Sequence, residues 1–286
     1  MRKLLRLFFI SMLLGAVASA SRGMRDELGR DVAVPDHPHR LICLAPSITD
    51  TVYELGRGDD IVGITDYTKY PPEARQKPSV GGVINPSLET LVSLKPDLVL
   101  AIGDLNNSDL VRSIEHLGIP VFVIAPHGVE GIYHSISSIG KAINQEAEAS
   151  TLIARLRARE RAVRERVAGK KAPTILFVVW IDPIITAGRG AFITELISIA
   201  GGKSVSDDLP NEWPRLSFET IVARQPEYLL LTRGSPASLQ ILQSQGVWQR
   251  LGAVKQGKDF YADDRIDCPS PLAFDALEDL AKQFHP

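Results

Sequence analysis

Apolar and polar positions along the chain follow two rhythms. Short apolar runs at Arg40–Ala45, Ile61–Ile64, Leu98–Ile102 and Val121–Ala125 read as buried strands. Between them, Thr49–Leu55, Leu88–Leu94 and Ser108–Leu117 have helical spacing and are stopped by Gly56, Pro96 and Gly118. Such alternation with short connections predicts a parallel sheet wrapped by helices. From Gly131 to Ala168 there is no proline, one interior glycine (Gly140), and apolar residues at helical spacing. This stretch reads as one long amphipathic helix, roughly 55 Å from end to end. Two helices broken near Asn144 are the alternative. The first rhythm then returns, with strands at Thr174–Val179, Tyr228–Thr232 and Phe260–Tyr261. Helices are expected at Phe192–Ala200, Phe218–Arg224, Ser238–Gln245 and Leu272–Phe284. The fold class is therefore α/β: two Rossmann-like lobes with parallel sheets, 21–130 and 170–286, joined by one backbone helix over 131–169.

A repeat supports the two lobes. Residues 85–100, NPSLETLVSLKPDLVL, return as 215–230, RLSFETIVARQPEYLL. Ser87/Ser217, Glu89/Glu219, Thr90/Thr220, Val92/Val222, Pro96/Pro226 and Leu100/Leu230 are identical pairs at one constant offset. Each copy opens with a serine suited to cap a helix, and a glutamate follows in the first turn, where it favours the helix dipole. Capping alone explains one copy. Two matched copies place one exposed carboxylate on each lobe, suiting a basic partner that is itself twofold.

The N-terminus changes the picture of where the chain works. MRKLLRLFFISMLLGAVASA has a basic start, a short apolar run and a small-residue end, the pattern of a signal peptide over 1–20 cleaved after Ala20. A membrane anchor is the alternative, and the lack of cysteine near residue 20 argues against a lipid-anchored product. Removing the leader's three basic residues leaves 29 Lys and Arg against 34 Asp and Glu, a net charge of −5. A mildly acidic exported monomer is a poor nucleic-acid binder. Cys43 and Cys268 would meet an oxidising compartment. They read either as a disulfide or, since they fall in different lobes, as a core thiol and a loop thiol.

The chain resembles the substrate-binding proteins of ABC importers in the helical-backbone group, which serve vitamin B12, ferric siderophores, haem and some metals. The resemblance covers RDELGRDVAVPDHPHRLICLAPSITDTVYELGRGDDIVGIT, NPSLETLVSLKPDLVL, the central helical stretch and GVWQRLGAVKQGKDFY. ITAGRGAFITELISIAGG and NEWPRLSFETIVARQPEYLLL look most similar to the vitamin B12-binding members. It implies a periplasmic binding protein, not an enzyme, that needs no cofactor and delivers a corrinoid or metal-chelate small molecule to a dimeric permease in the inner membrane. Glu89 and Glu219 match the two glutamates that dock onto permease arginines.

In open α/β lobes, ligands bind beyond the carboxyl ends of the strands, so here the cleft between lobes is the expected site. Ser47 follows the first strand, Tyr67 the second, and Asp104 the third. In the second lobe Trp180 follows the first strand, Trp213 precedes the repeated helix, and Arg265 precedes the last one. Tyr67, Trp180 and Trp213 would give an aromatic platform for a flat macrocycle. By the resemblance, Tyr67 and Trp213 match aromatic positions of the vitamin B12-binding members. Those members also carry a tryptophan where this chain has Gly81-Gly82-Val83-Ile84, and Asp263-Asp264-Arg265 echoes their late charged pair only loosely. Trp248 reads as structural.

Other ligands make other demands. Anionic ferric siderophores call for an arginine cluster, here Arg189, Arg215 and Arg265. Haem calls for an axial ligand such as Tyr67 or His127. No metal site is expected: His37 and His39 lie in a loop, and the other histidines lack metal-site spacing. An exported hydrolase or lyase is the competing class. The chain has no G-x-S-x-G elbow, no Gly-rich dinucleotide loop, and no first glycine ahead of Gly202-Lys203-Ser204 to make a phosphate loop. A stiff connecting helix predicts a clamp that closes only slightly.

Overall fold

The computed structural model describes residues 20–103, 105–232, 244 and 246–286. The expected leader, the expected helix at Ser238–Gln245 and the candidate Asp104 lie outside the described residues, apart from Ala20 and Ser244. The N-terminal sheet contains β3 (Leu41–Cys43), β4 (Ile61–Gly63), β5 (Leu98–Ile102) and β6 (Val121–Ile124), all parallel, in the order β4-β3-β5-β6. The C-terminal sheet contains β7 (Thr174–Val178), β10 (Lys203–Ser204), β11 (Tyr228–Thr232) and β12 (Asp259–Ala262), parallel, in the order β10-β7-β11-β12. In both, the first strand lies between the second and third. The duplication visible in the sequence thus extends to whole-sheet topology.

The repeated block folds identically in each lobe. Ser87 caps α2 (Leu88–Ser93) and Ser217 caps α7 (Phe218–Arg224), each accepting from the amide three residues on at 3.2 Å. Both helices end through a non-glycine residue in the left-handed region, Lys95 at φ 48° and Gln225 at φ 45°, before the paired prolines. Proline disfavours a right-handed α conformation in the residue before it, so each helix is forced to stop there.

The strands read as unbroken apolar runs because both sheet faces are covered. Alternate residues go to different cores. Leu41 and Cys43, Leu98 and Leu100, and Ile175 and Phe177 point into one large cluster shared by both lobes. Ile42, Val99 and Val121 point to the far side of the N-terminal sheet, and Leu176, Leu229 and Leu231 to the far side of the C-terminal one. The remaining helices are α1 (Pro46–Glu54), α3 (Ser108–His116), α4 (Gly128–Ala142), α5 (Glu146–Val167), α6 (Phe192–Ile199), α8 (Gly252–Lys255) and α9 (Ala273–Phe284). Two antiparallel hairpins complete the fold. One joins β1 (Ser21–Arg25) to β2 (Asp31–Pro35), the other β8 (Trp180–Ile181) to β9 (Ile184–Ile185). The turn of the first hairpin covers the edge of β6: Glu27 N donates to Val123 O at 3.0 Å, and Ala125 N to Glu27 Oε2 at 2.6 Å.

The connector is not the single long helix but the alternative, two helices broken at Asn144. Asn144 is left-handed at φ 57°, the chain reverses, and α5 runs back along α4. Tyr133 of α4 donates to Glu160 Oε2 of α5 at 2.7 Å, and Arg157 lies over the Tyr133 ring. α4 meets α6 of the C-terminal lobe, with Val129 N donating to Glu195 Oε2 at 2.8 Å, and the chain then crosses between the lobes through α5, 22 residues or about 33 Å. It buries Ala149, Leu152, Leu156 and Val163 along one face. Two arginines near its middle fasten it to both lobes: Arg155 pairs with Glu54 of α1, and Arg159 with Asp275 and Glu278 of α9.

Gly140 makes the reversal close. A Cβ there would stand 2.6 Å from Ala149 Cβ and 3.0 Å from Gln145 O. Helix propensity alone would make Gly140→Ala stabilising by up to about 1 kcal/mol. The contact reverses the sign, and the expected outcome in denaturant melts is a loss of about 1–3 kcal/mol, typical of overpacking.

Candidate functional site

The lobes enclose a cavity of about 480 Å³ at the carboxyl ends of their strands. Pro46 follows β3, Val179 follows β7, Thr232 ends β11 and Arg265 follows β12, and all four line it. Tyr67 and Tyr70 reach it from the loop after β4, and Trp180 and Trp213 face it from the C-terminal lobe. Tyr67 is 66% exposed, Trp213 49% and Trp180 42%, unusually open for side chains this large. The Trp180 indole is oriented by donation from Nε1 to Asp182 O at 2.8 Å. Trp248, by contrast, is buried, edge-on to Phe218.

Among the described residues two cations line the cavity, and both have acidic partners. Lys69 Nζ crosses from the N-terminal lobe to Asp264 Oδ2 at 3.1 Å. Arg265 is held by Asp263, with Nε to Oδ1 at 2.8 Å and Nη2 to Oδ2 at 2.6 Å, and by Asp275. Hydrogen bonding to Asp263 is the main cause that holds the guanidinium above its usual pKa. The arginine cluster considered above does not form among the described residues. Arg189 is spent on the carbonyls of Asp207 and Asp208, and neither it nor Arg215 lines the cavity. His127 sits at the start of α4, outside the lining.

Other expectations are revised by position. Ser47 is 3% exposed and does not line the cavity. One residue along a helix turns the side chain by about 100°, so Pro46 faces the ligand space and Ser47 turns into the core. Asn106, in the loop after β5, organises that loop by accepting from Ile102 N and donating to Val83 O, each at 2.7 Å. Cys43 and Cys268 are not joined, so no disulfide links the lobes through them. Burial pushes the Cys43 thiol up to about 12, as befits a core residue, whereas Cys268 lines the cavity.

Asp50 was not anticipated. It lies one helical turn beyond Pro46 and shares its face, a spacing that does mark it in the sequence. It is 7% exposed and lines the cavity with Ser270 of the C-terminal lobe. Burial pushes its carboxyl up to about 7, the Ser270 hydrogen bond opposes the rise, and the charge of Glu54 adds to it.

Glu89 and Glu219 lie outside the cavity, exposed in the first turns of α2 and α7. No hydrogen bond or ion pair engages either carboxylate among the described residues.

Residues 41–266 match the model of a family described as periplasmic binding protein. The chain belongs to this family. The binding protein is 28% identical to an ABC transporter substrate-binding lipoprotein of Bacillus subtilis (strain 168), over 91% of its own length and 84% of that protein's. It is 27% identical to the vitamin B12-binding protein of Salmonella choleraesuis, over 78% of its length and 83% of that protein's. Among solved structures, an apo periplasmic haem-binding protein from Roseiflexus sp. RS-1 superposes with a TM-score of 0.80 at 25% identity, covering 86% of this chain and 98% of that one. The vitamin B12-binding protein of Vibrio cholerae superposes at 0.74 with 24% identity, covering 86% and 96%, a likeness of fold.

The raised Asp50 has a stability consequence. Its folded pKa exceeds the unfolded one, so below about pH 4 it is neutral in both states and costs nothing. The cost grows as pH rises towards about 7 and is constant above that. At full extent it is on the order of 4 kcal/mol. Asp50→Asn is expected to raise the thermal unfolding midpoint more at pH 8 than at pH 5, checked by calorimetry at the two values.

Proposed function

We propose that this binding protein captures a corrinoid, a vitamin B12-like macrocycle, in the inter-lobe cleft and delivers it to an ABC importer. The observation that carries the reading is the cleft itself: exposed Tyr67, Trp180 and Trp213 surround a space whose described cations are already paired. Aromatic faces bind a large, amide-fringed ring through its apolar area and π-stacking. A multiply anionic ferric chelate would need unpaired guanidinium groups, and Arg265 alone, already held by two carboxylates, does not supply them. The vitamin B12-binding relatives in the same family support this reading.

The second reading is haem. It is favoured by Tyr67, which presents a phenol to the cleft as an axial ligand would, and by the likeness to the haem-binding structure. In either case the protein binds and releases its ligand without turning it over. It is exported by its N-terminal leader and works as a monomer with lobes over 21–130 and 170–286. Glu89 and Glu219 dock it onto two arginine-bearing faces of a dimeric permease in the inner membrane. Exposed charge pairs of this kind set orientation and on-rate more than affinity.

Calorimetric titration with cyanocobalamin and, separately, with hemin tests the reading. The expected outcome is one-to-one binding of cyanocobalamin, weakened about tenfold or more by Trp213→Ala or Tyr67→Ala. Heat from hemin alone would overturn it in favour of haem. Glu89→Ala combined with Glu219→Ala is expected to leave the binding isotherm unchanged and to abolish uptake in cells. Normal uptake by that double variant would remove the docking assignment.

A further inference from the structure

The cleft floor contains a polar pair that neither the aromatic platform nor the docking glutamates explain. Asp50 comes from α1 of the N-terminal lobe, and Ser270 from the segment before α9 in the C-terminal lobe. Both are buried and both line the cavity. The Ser270 hydroxyl oxygen accepts from Leu272 N at 3.2 Å, and its hydroxyl bonds the Asp50 carboxyl across the lobe boundary. A carboxyl buried this deeply ordinarily has a cationic partner. Here the described cations of the cleft are committed elsewhere, Lys69 to Asp264 and Arg265 to Asp263 and Asp275.

We propose that Asp50 is a ligand-facing, specificity-determining residue that binds the ligand in its protonated form, so that capture takes up a proton from solvent. The assignment rests on the reading of the cleft as the ligand site.

Burial and Glu54 outweigh the opposing hydrogen bond from Ser270. On its own helix Asp50 faces Glu54, whose charge is shared with Arg155 of α5. On the outer side, Glu73 and the Tyr53 phenol line an adjoining pocket with it. From the loop after β4 come Tyr67, Lys69 and Tyr70, and from the segment after β12 come Asp264, Arg265, Cys268 and Ser270. The charge that acts on it is that of Glu54, which disfavours its ionised form as burial does, while the Ser270 hydroxyl favours it. The ligand-free carboxyl is pushed up to about 7. A macrocycle seated over it removes the remaining water and disfavours the charge further. Neutral Asp50 then donates its proton to an amide carbonyl on the ring edge, whereas an anionic group brought to the same place would face a carboxyl with no counter-charge. The pair thus favours an amide-fringed ring over a carboxylate-fringed one.

The test has a ligand-free arm and a ligand arm. Carboxyl NMR of the ligand-free protein, with Asp50→Asn for assignment, is expected to show one aspartate titrating near neutrality. An ordinary acidic titration would overturn the proposal whatever the ligand is. Cyanocobalamin, which has no group titrating near neutrality, is then titrated at pH 6 and pH 8.5. Its affinity is expected to fall about tenfold or more across that range, since each pH unit above the free pKa costs up to a factor of about ten. Asp50→Asn should abolish the pH dependence and keep the tight binding. Ser270→Ala, which removes the hydrogen bond favouring the ionised form, should move the fall to higher pH. A flat wild-type profile, or an unchanged profile in Asp50→Asn, would overturn the proposal while leaving the corrinoid reading intact. If cyanocobalamin does not bind at either pH, the corrinoid reading fails, and the same comparison with hemin decides whether Asp50 couples binding to a proton.

Discussion

The apolar cluster that continues from the inner face of one sheet, through α4, α5 and α9, to the inner face of the other is the constraint on which the molecule depends. Two lobes with separate cores would meet at a polar interface and move freely. Here α5 is packed into one core with both, and Arg155 and Arg159 tie its faces to α1 and α9. Partly exposed pairs of this kind contribute little stability singly. The buried residues between them do the fastening, because an interior packed at crystal-like density does not shear without opening voids. Such packing opposes changes in the width of the cleft and leaves the loops at its rim as the parts with most freedom to adapt to a ligand.

The same constraint gives the internal repeat a physical role. Two sheets of the same strand order, held by one rigid core, carry their first-turn glutamates in a fixed relative position. Each glutamate is exposed by the same cap and the same left-handed stop. A flexible joint would let the pair wander and would forfeit simultaneous engagement of a twofold partner, since the second contact gains its advantage only when geometry presets it.

Much of this was legible in sequence, for reasons that can be named. Strands buried on both faces appear as apolar runs, and helices with cap serines and terminal glycine or proline announce both ends. What escaped were features set by tertiary contact. The break near Asn144 was legible as an alternative, but not the full reversal there, which uses no glycine or proline because asparagine tolerates the left-handed region. The β1–β2 hairpin is half exposed and has no strong apolar alternation. Ser47 and Pro46 differ only in which side of one helical turn they occupy, which is decided by how α1 lies on the sheet. The Lys69–Asp264 pair joins residues 195 apart in sequence, beyond any local pattern.

The electrostatics of the cleft follow from that last class of contact. Composition gives the chain a small excess of acid and does not show which cations reach the cleft or what they pair with. The folded chain pairs Lys69 with a carboxylate of the opposite lobe and Arg265 with two carboxylates of its own. With Asp50 beneath them and aromatic faces around, the site offers apolar area and hydrogen bonds but little net charge. Pairing the cations within the protein also lowers what an incoming ligand must replace, because a paired guanidinium has already lost much of its water. Such a site gains affinity from stacking and from excluded solvent, and it discriminates against charge by leaving that charge without a partner. On the proposed reading, what distinguishes a neutral macrocycle from a propionate-bearing one or a multiply anionic chelate is which carboxylates the lobes bring beside Lys69 and Arg265, and not how many basic residues the chain contains.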